Sequence, residues 1–212
     1  MSKEIGTTTE DFRQHLLDGG ILDPEGVHHE FVSGLHGRKL DFDIIPERSQ
    51  LFGEWVMVAA QKIEELYPDI DRSHLALLSV ANGTNRLVGP VAERLGGHVT
   101  ALKTEKISPK AVKLTAKDRQ RLIKLKPTLV VAIEDVGTRG TTSATAIQSA
   151  REAGAERVEA LNTWQRRENL EELEAIGAVY NSIIYEPLPT LSPEECRATG
   201  YCAQGWEFIP HD

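Results

Sequence analysis

Apolar positions follow two rhythms along the chain, and their alternation predicts the architecture. Ser49–Leu66 sets Leu51, Trp55, Val58, Ala59, Ile63 and Leu66 at helical spacing and stops at Pro68. Leu75–Ala81 is then a continuous apolar run, Leu87–Leu95 is helical before Gly96-Gly97, and Val99–Leu102 reads as a short strand. Leu129–Ile133 is the clearest buried strand, followed by a helix over Thr142–Ala153 that Gly154 ends. Val158–Asn162 and Val179–Ile184 read as strands around a helix over Arg167–Ile176. Strands without polar alternation, separated by helices, imply an α/β fold whose parallel sheet is flanked by helices on both faces. Nearer the amino terminus, Thr9–Asp18 reads as a helix with Thr9 as N-cap and Gly19-Gly20 as its end. Phe31-Val32 leads into a loop or tight turn, then an extended piece to Ile45. The segment from Glu186 onward is Pro-rich and irregular and is expected to pack as a cap.

Composition narrows the class. A chain of 212 residues, 40% of them hydrophobic, suits one α/β domain with small appendages. No run approaches the roughly 18 apolar residues of a membrane helix, and residues 1–7 have no apolar leader core, so a cytoplasmic protein is expected. The only cysteines, Cys196 and Cys202, read as reduced thiols. A zinc site needs about four ligands. The spacing of the two cysteines and His211 matches no common metal pattern, so no metal-ligating residue is assigned. His28, His29 and the three Trp read as structural.

Net charge is −8, which disfavours a general nucleic-acid binder, but the charge is uneven. Residues 103–126 carry seven Lys and two Arg against Glu105 and Asp118, a balance of +7 that leaves the remainder at −15. Such an island fits either a local anion site or a solvated basic helix face. The basic segment reads as part loop, part helix, closed by Pro127.

The segment richest in chemistry follows Leu129–Ile133. It reads Glu134-Asp135-Val136-Gly137-Thr138-Arg139-Gly140-Thr141-Thr142 and runs into a helix. Main-chain N–H groups at a helix start favour a phosphate, and the two glycines let the backbone come close. The hydroxyls of Thr138, Thr141 and Thr142 add donors, while the adjacent carboxylates suit ribose hydroxyls beside the phosphate. The alternative is an acidic strand end before a Thr-capped helix. Neither G-x-x-x-x-G-K-[ST] nor a strand-borne G-x-G-x-x-G occurs, so the ATP and dinucleotide loops are excluded.

Val130 to Thr142 resembles the thirteen-residue signature of type I phosphoribosyltransferases, with Thr141 where that family usually has a second Gly. The resemblance implies the type I fold, with a core over about 47–184 and a small hood from residues 1–46 and 185–212. Three more segments resemble the orotate branch. Ser33-Gly34-x-His36 is similar to the motif opening the base pocket, and Lys103-Thr104-Glu105-Lys106 to the start of the flexible catalytic loop. Arg166 falls where the family holds the base's carboxylate, although Gln165 replaces the usual acid. Ala81-Asn82-Gly83-Thr84 sits where the family binds pyrophosphate through main-chain amides, an Asn-Gly turn being the plain alternative. The departures are Ile107-Ser108-Pro109-Lys110 in place of a His-Gly, and Leu40 and Phe42 near the base.

The resemblance thus implies phosphoribosyl pyrophosphate on Glu134, Asp135, Thr138, Arg139, Gly140, Thr141 and Thr142, with Lys103, Lys106 and Asp135 catalytic. It also implies Mg²⁺ held mainly by the substrate, small-molecule partners only (no nucleic acid, no membrane), and a homodimer. Transfer to orotate is the first expectation. Transfer to another base, or a non-catalytic sensor of the sugar donor that binds RNA or DNA, are the alternatives.

Overall fold

A computed structural model of the chain describes residues 7–31, 34–80 and 83–210. Helix α1 (Thr9–Asp18) precedes strands β1 (Val27–Glu30) and β2 (His36–Gly37) and a 3-10 helix over Phe42–Glu47. Then come α2 (Ser49–Leu66), β3 (Leu75–Ser79), α3 (Val88–Arg94), β4 (Thr100–Leu102), β5 (Thr104–Ser108), β6 (Ala111–Leu114) and α4 (Ala116–Leu125). They are followed by β7 (Leu129–Gly137), α5 (Thr141–Glu152), β8 (Val158–Gln165), α6 (Glu171–Ala175) and β9 (Tyr180–Tyr185). Beyond these lie β10 (Thr190–Leu191), α7 (Pro193–Thr199) and β11 (Glu207–Ile209).

The central sheet has the order β4-β3-β7-β8-β9, and every neighbouring pair is parallel. Its apolar runs alternate between two cores. Leu75, Leu77, Leu129, Val131 and Ile133 face Trp55, Val58 and Ile63 of α2, while Ala76, Leu78, Val130 and Ala132 face Ile147 and Ala150 of α5. Burial on both sides removes the polar alternation that a half-exposed strand would show. The order in which strands are added reverses at the β3–β7 pair, because β4 lies to one side of β3 and β7 to the other. Open sheets of this kind bind ligands beyond the carboxyl ends of the strands at such a switch point. A second, four-stranded sheet, β10-β2-β1-β11, joins the amino- and carboxyl-terminal segments into a hood.

Several local expectations change. The N-cap of α1 is Thr8, one residue before Thr9, with a reciprocal capping box to Asp11. The piece leading to Ile45 is a 3-10 helix opened by the Asp41 side chain, which accepts from the Asp43 N–H. The loop part of the basic segment is the β5–β6 hairpin, with Val112 and Leu114 buried against α5. Its main chain is fastened by Val112 N–H to Thr145 Oγ1 (3.0 Å) and Leu114 N–H to Ser149 Oγ (3.0 Å). Strand β8 runs on to Gln165 and α6 shrinks to Glu171–Ala175, because residues 163–165 continue the pairing with β7 and β9. The carboxyl-terminal segment is also more ordered than expected. Ser192-Pro193-Glu194-Glu195 forms a capping box with Pro at the helix start.

Trp55, fully buried, donates its indole N–H to Thr163 Oγ1 at 2.7 Å and so pins α2 to β8. Trp55→Phe should leave that hydroxyl unpaired and open a small void, costing about 2 kcal/mol. Urea unfolding followed by circular dichroism measures this, and an unchanged midpoint would show that the contact contributes nothing net.

Candidate active site

The β3 and β7 ends are locked together by Thr84, whose buried hydroxyl donates to the Ile133 carbonyl (2.8 Å) and accepts from the Val80 N–H (2.9 Å). That bond brings the 83–84 turn onto the acidic pair. A Cβ on Gly83 would overlap the Asp135 carboxylate, so only glycine permits this approach. Asp135 accepts from the Val136 N–H at 2.7 Å, and Glu134 accepts from Ser143 Oγ at 2.5 Å. Burial pushes Glu134 up to about 8, with Ser143 opposing and Asp135 adding to the rise. Burial likewise pushes Asp135 up to about 6, aided by the charges of Asp43 and Asp41. Without ligand the pair therefore holds protons more tightly than free carboxyls, and hydroxyl donors or positive charge would draw out the ionised form.

Directly after the pair, Gly140 takes φ 77° and caps α5 with no side-chain hydrogen bond. A Cβ there would also stand 2.6 Å from Leu173 Cγ. The first-turn amides of a twelve-residue helix thus start at a bare cap, an arrangement suited to an anion. Arg139 turns its guanidinium away to Glu172 (3.0 Å) and Glu171 (3.9 Å) of α6, bracing the loop from outside.

Between this loop and the hood lies a cavity of about 760 Å³. Glu134, Thr138, Arg139, Gly140, Thr141, Thr142 and Arg166 all line it, so the structure brings these expected residues together. Arg166 is 3% exposed, and its Nε and Nη2 have no hydrogen-bond partner. Its guanidinium lies over the Phe31 ring, 4.8 Å from the centroid. Burial lowers its pKa to about 10, which leaves it cationic at neutral pH. Arg166 borders the cavity, its two unpaired donors shielded from solvent and Nη2 lying beside Gly37, and a buried cation so placed suits an anionic planar group.

Other expected residues fall elsewhere. Ser33, Ala81 and Asn82 lie outside the described residues. Gly34 is in the turn between β1 and β2, and His36 packs inside the hood; neither lines the cavity. Lys103 and Lys106 are exposed at the base and along one strand of the hairpin, whereas Pro109 and Lys110 at its tip reach the cavity. Sequence reasoning missed Phe31, Lys39 and His29 as cavity residues. His29 pairs with Asp23 at 2.9 Å, and Asp23 also accepts from the Lys39 N–H. Only the basic island hinted at Lys110. Gln165, in place of an acid, donates to the Arg167 and Glu168 carbonyls and shapes the turn beside Arg166.

A five-stranded parallel sheet, an acidic pair before a bare-capped helix and a hood over the cavity together define the type I phosphoribosyltransferase fold. Similar solved structures include the orotate phosphoribosyltransferase of Aeropyrum pernix, at 22% identity over 82% of this chain and 93% of that one, with a TM-score of 0.61. The Mycobacterium tuberculosis orotate phosphoribosyltransferase, solved with 5-phospho-α-D-ribosyl 1-diphosphate, matches at 16% identity over 84% and 95%, TM-score 0.57. The Saccharomyces cerevisiae adenine phosphoribosyltransferase, solved with adenine, matches at 17% over 82% and 99%, TM-score 0.59. Neither a protein-family model nor a curated protein matches the sequence. Among the described residues no helix is long and apolar enough to cross a membrane.

The raised Glu134 pKa has a consequence for stability. Between the ordinary value of 4.5 and about 8 the folded protein keeps a proton that the unfolded chain has released, so this group's contribution falls as pH rises through that window. Glu134→Gln keeps an acceptor for Ser143 and removes the titration. It should stabilise the free protein by on the order of 2 kcal/mol at pH near 8 and by little at pH near 5. Thermal melts at both pH values test this, and equal shifts at both would contradict the burial argument.

Proposed function

We propose that the cavity transfers ribose 5-phosphate from phosphoribosyl pyrophosphate to a carboxylated pyrimidine, with orotate as the fitting base, in a cytoplasmic homodimeric enzyme. The observation that carries the choice of base is Arg166, a buried guanidinium with two unpaired donors, whose side chain borders the same cavity as the Thr138–Thr142 cradle. A neutral purine would leave that charge unmatched, at a cost of several kcal/mol. A carboxylate would satisfy it by bidentate pairing.

In this reading the 5-phosphate rests on the amides and hydroxyls of residues 138–142, and Glu134 and Asp135 accept hydrogen bonds from the ribose hydroxyls. The acidic surroundings of Asp135, with Asp41 and Asp43 nearby, fit a hard divalent cation carried in with the substrate. Mg²⁺ would supply charge neutralisation at the leaving pyrophosphate. The 83–84 turn, which packs on Asp135 without itself lining the cavity, is assigned to the pyrophosphate side, and Lys110 lines the cavity from the hairpin tip. Lys103 and Lys106 add positive charge on the same hairpin, acting in their own site after closure or across a dimer. Stabilising charge as it develops is commonly the largest catalytic contribution. As the C1–O bond loosens, a ring nitrogen of the base takes the anomeric carbon with inversion, and closure of the hood and hairpin keeps water from it.

Pyrophosphate release with orotate, uracil, adenine and hypoxanthine, each with Mg²⁺ and the sugar donor, tests the assignment. Orotate alone should turn over. Arg166→Gln should raise KM for orotate by about 100-fold, with a smaller change in kcat. Asp135→Asn and Thr138→Ala should both depress turnover. Unchanged turnover in these two would refute the sugar site, whereas activity on adenine would refute only the choice of base.

A further inference from the structure

The hood holds a second cluster that the transfer reaction does not use. His28 of β1, His36 of β2, Cys196 of α7 and Cys202 of the following turn bring one potential ligand atom each within 4.8 Å of one another. His28 and Cys196 are fully buried, His36 is 6% exposed, and Cys202 is partly covered. Cys202 Sγ stands 3.3 Å from His28 Nε2 and 3.6 Å from His36 Nδ1. A tetrahedral Zn²⁺ with ligands at about 2.3 Å for sulfur and about 2.05 Å for nitrogen separates a sulfur from a nitrogen by about 3.6 Å and two sulfurs by about 3.8 Å. The two measured separations already have that size. With every ligand atom within 4.8 Å of the others, the widest gap in the quartet needs to close by at most about 1.5 Å.

The surroundings fit a closed structural site rather than a catalytic one. The Cys202 N–H donates to Cys196 Sγ at 3.2 Å, a contact that stabilises thiolate charge next to a metal. Phe208 stacks on His36 with centroids 4.9 Å apart, and Tyr201 packs at 5.6 Å from His28, shielding the cluster with apolar rings. Two imidazoles and two thiols bond only weakly to one another. Gathering three buried side chains and the partly covered Cys202 at one point has little stabilising logic without an ion, whereas the set matches the Cys₂His₂ preference of Zn²⁺.

We infer that His28, His36, Cys196 and Cys202 bind one structural Zn²⁺ that clasps the two terminal segments of the hood. Binding releases the two thiol protons to solvent and involves no redox step. The ligands come in pairs from opposite ends of the chain, with His28 and Cys202 separated by 174 positions. The ion thus closes a loop around the entire core. It also fixes β11, whose Ile209 lines the active-site cavity together with Pro210.

The test uses the full chain. Purified protein should contain one zinc per chain by inductively coupled plasma mass spectrometry, and a strong chelator should lower its melting temperature. Metal-stripped protein titrated with Co²⁺ should develop thiolate charge-transfer absorption and intense visible bands of tetrahedral symmetry at one equivalent. Cys202→Ser and His36→Ala should each lose those bands. The wild-type Co²⁺ titration decides even if a variant fails to fold. Featureless Co²⁺ spectra overturn the inference, as do a Cys196–Cys202 disulfide found by mass in the freshly purified protein and tetrahedral bands that persist in Cys202→Ser. None of these readouts depends on transferase activity.

Discussion

Five parallel strands buried on both faces leave their carboxyl ends as the place where polar groups can gather, and the other features of this molecule follow from that constraint. Apolar side chains above and below the sheet exclude charge from its middle. The order reversal between β3 and β7 opens a crevice at those ends. The two strand ends are held together by the direct bond from the Val80 N–H to the Ile133 carbonyl and by the buried Thr84 hydroxyl bridging the same groups. The acidic pair follows directly on these ends, and the turn at Gly83 packs onto it.

The cavity is assembled from opposed electrostatic costs. On the core side, Glu134 lines the cavity and Asp135 lies next to it outside the lining, both buried deeply enough for their pKa values to rise, to about 8 and about 6. On the hood side, a guanidinium is buried with donors to spare. Each arrangement is unfavourable in the free protein and would be relieved by a ligand of complementary pattern, polar hydroxyls and cation at one end, carboxylate at the other. Local strain of this kind is tolerated because the sheet beneath is rigid and well packed. The hood that supplies Phe31 and Arg166's cover is thinner, a four-stranded sheet of two- to four-residue strands. Such a small sheet benefits from an additional clasp, and the His-Cys cluster sits where one would act.

Much of the core was legible in sequence because its elements are long and their periodicity is unambiguous. Ser49–Leu66 appears as a helix with the expected bounds, and the apolar runs at 75, 129, 158 and 179 all become parallel strands. The Gly-Thr loop was legible for another reason: its main-chain geometry, with Gly140 at positive φ against Leu173, is one that only particular residues permit. The hairpin at 104–114 was less so, since its lysines obscured the period-two placement of Val112 and Leu114. The helix at 193–199 carried a readable Ser-Pro-x-Glu start that the surrounding prolines masked.

Local order along the chain therefore settled the layered α/β core and the glycine-capped helix start after the acidic pair, because burial on both faces and helix-start chemistry both leave contiguous signatures. Folding in three dimensions alone decided that Lys110 rather than Lys103 meets the cavity, that His36 turns into the hood, and that Arg166 loses its water with no partner in return. It also decided the meeting of His28 and His36 with Cys196 and Cys202. The placement of His36 and the meeting of the His-Cys quartet rest on strand pairings between segments far apart in the chain, β1 with β11 and β2 with β10, whose partners are chosen by packing over the finished core and leave no spacing to read.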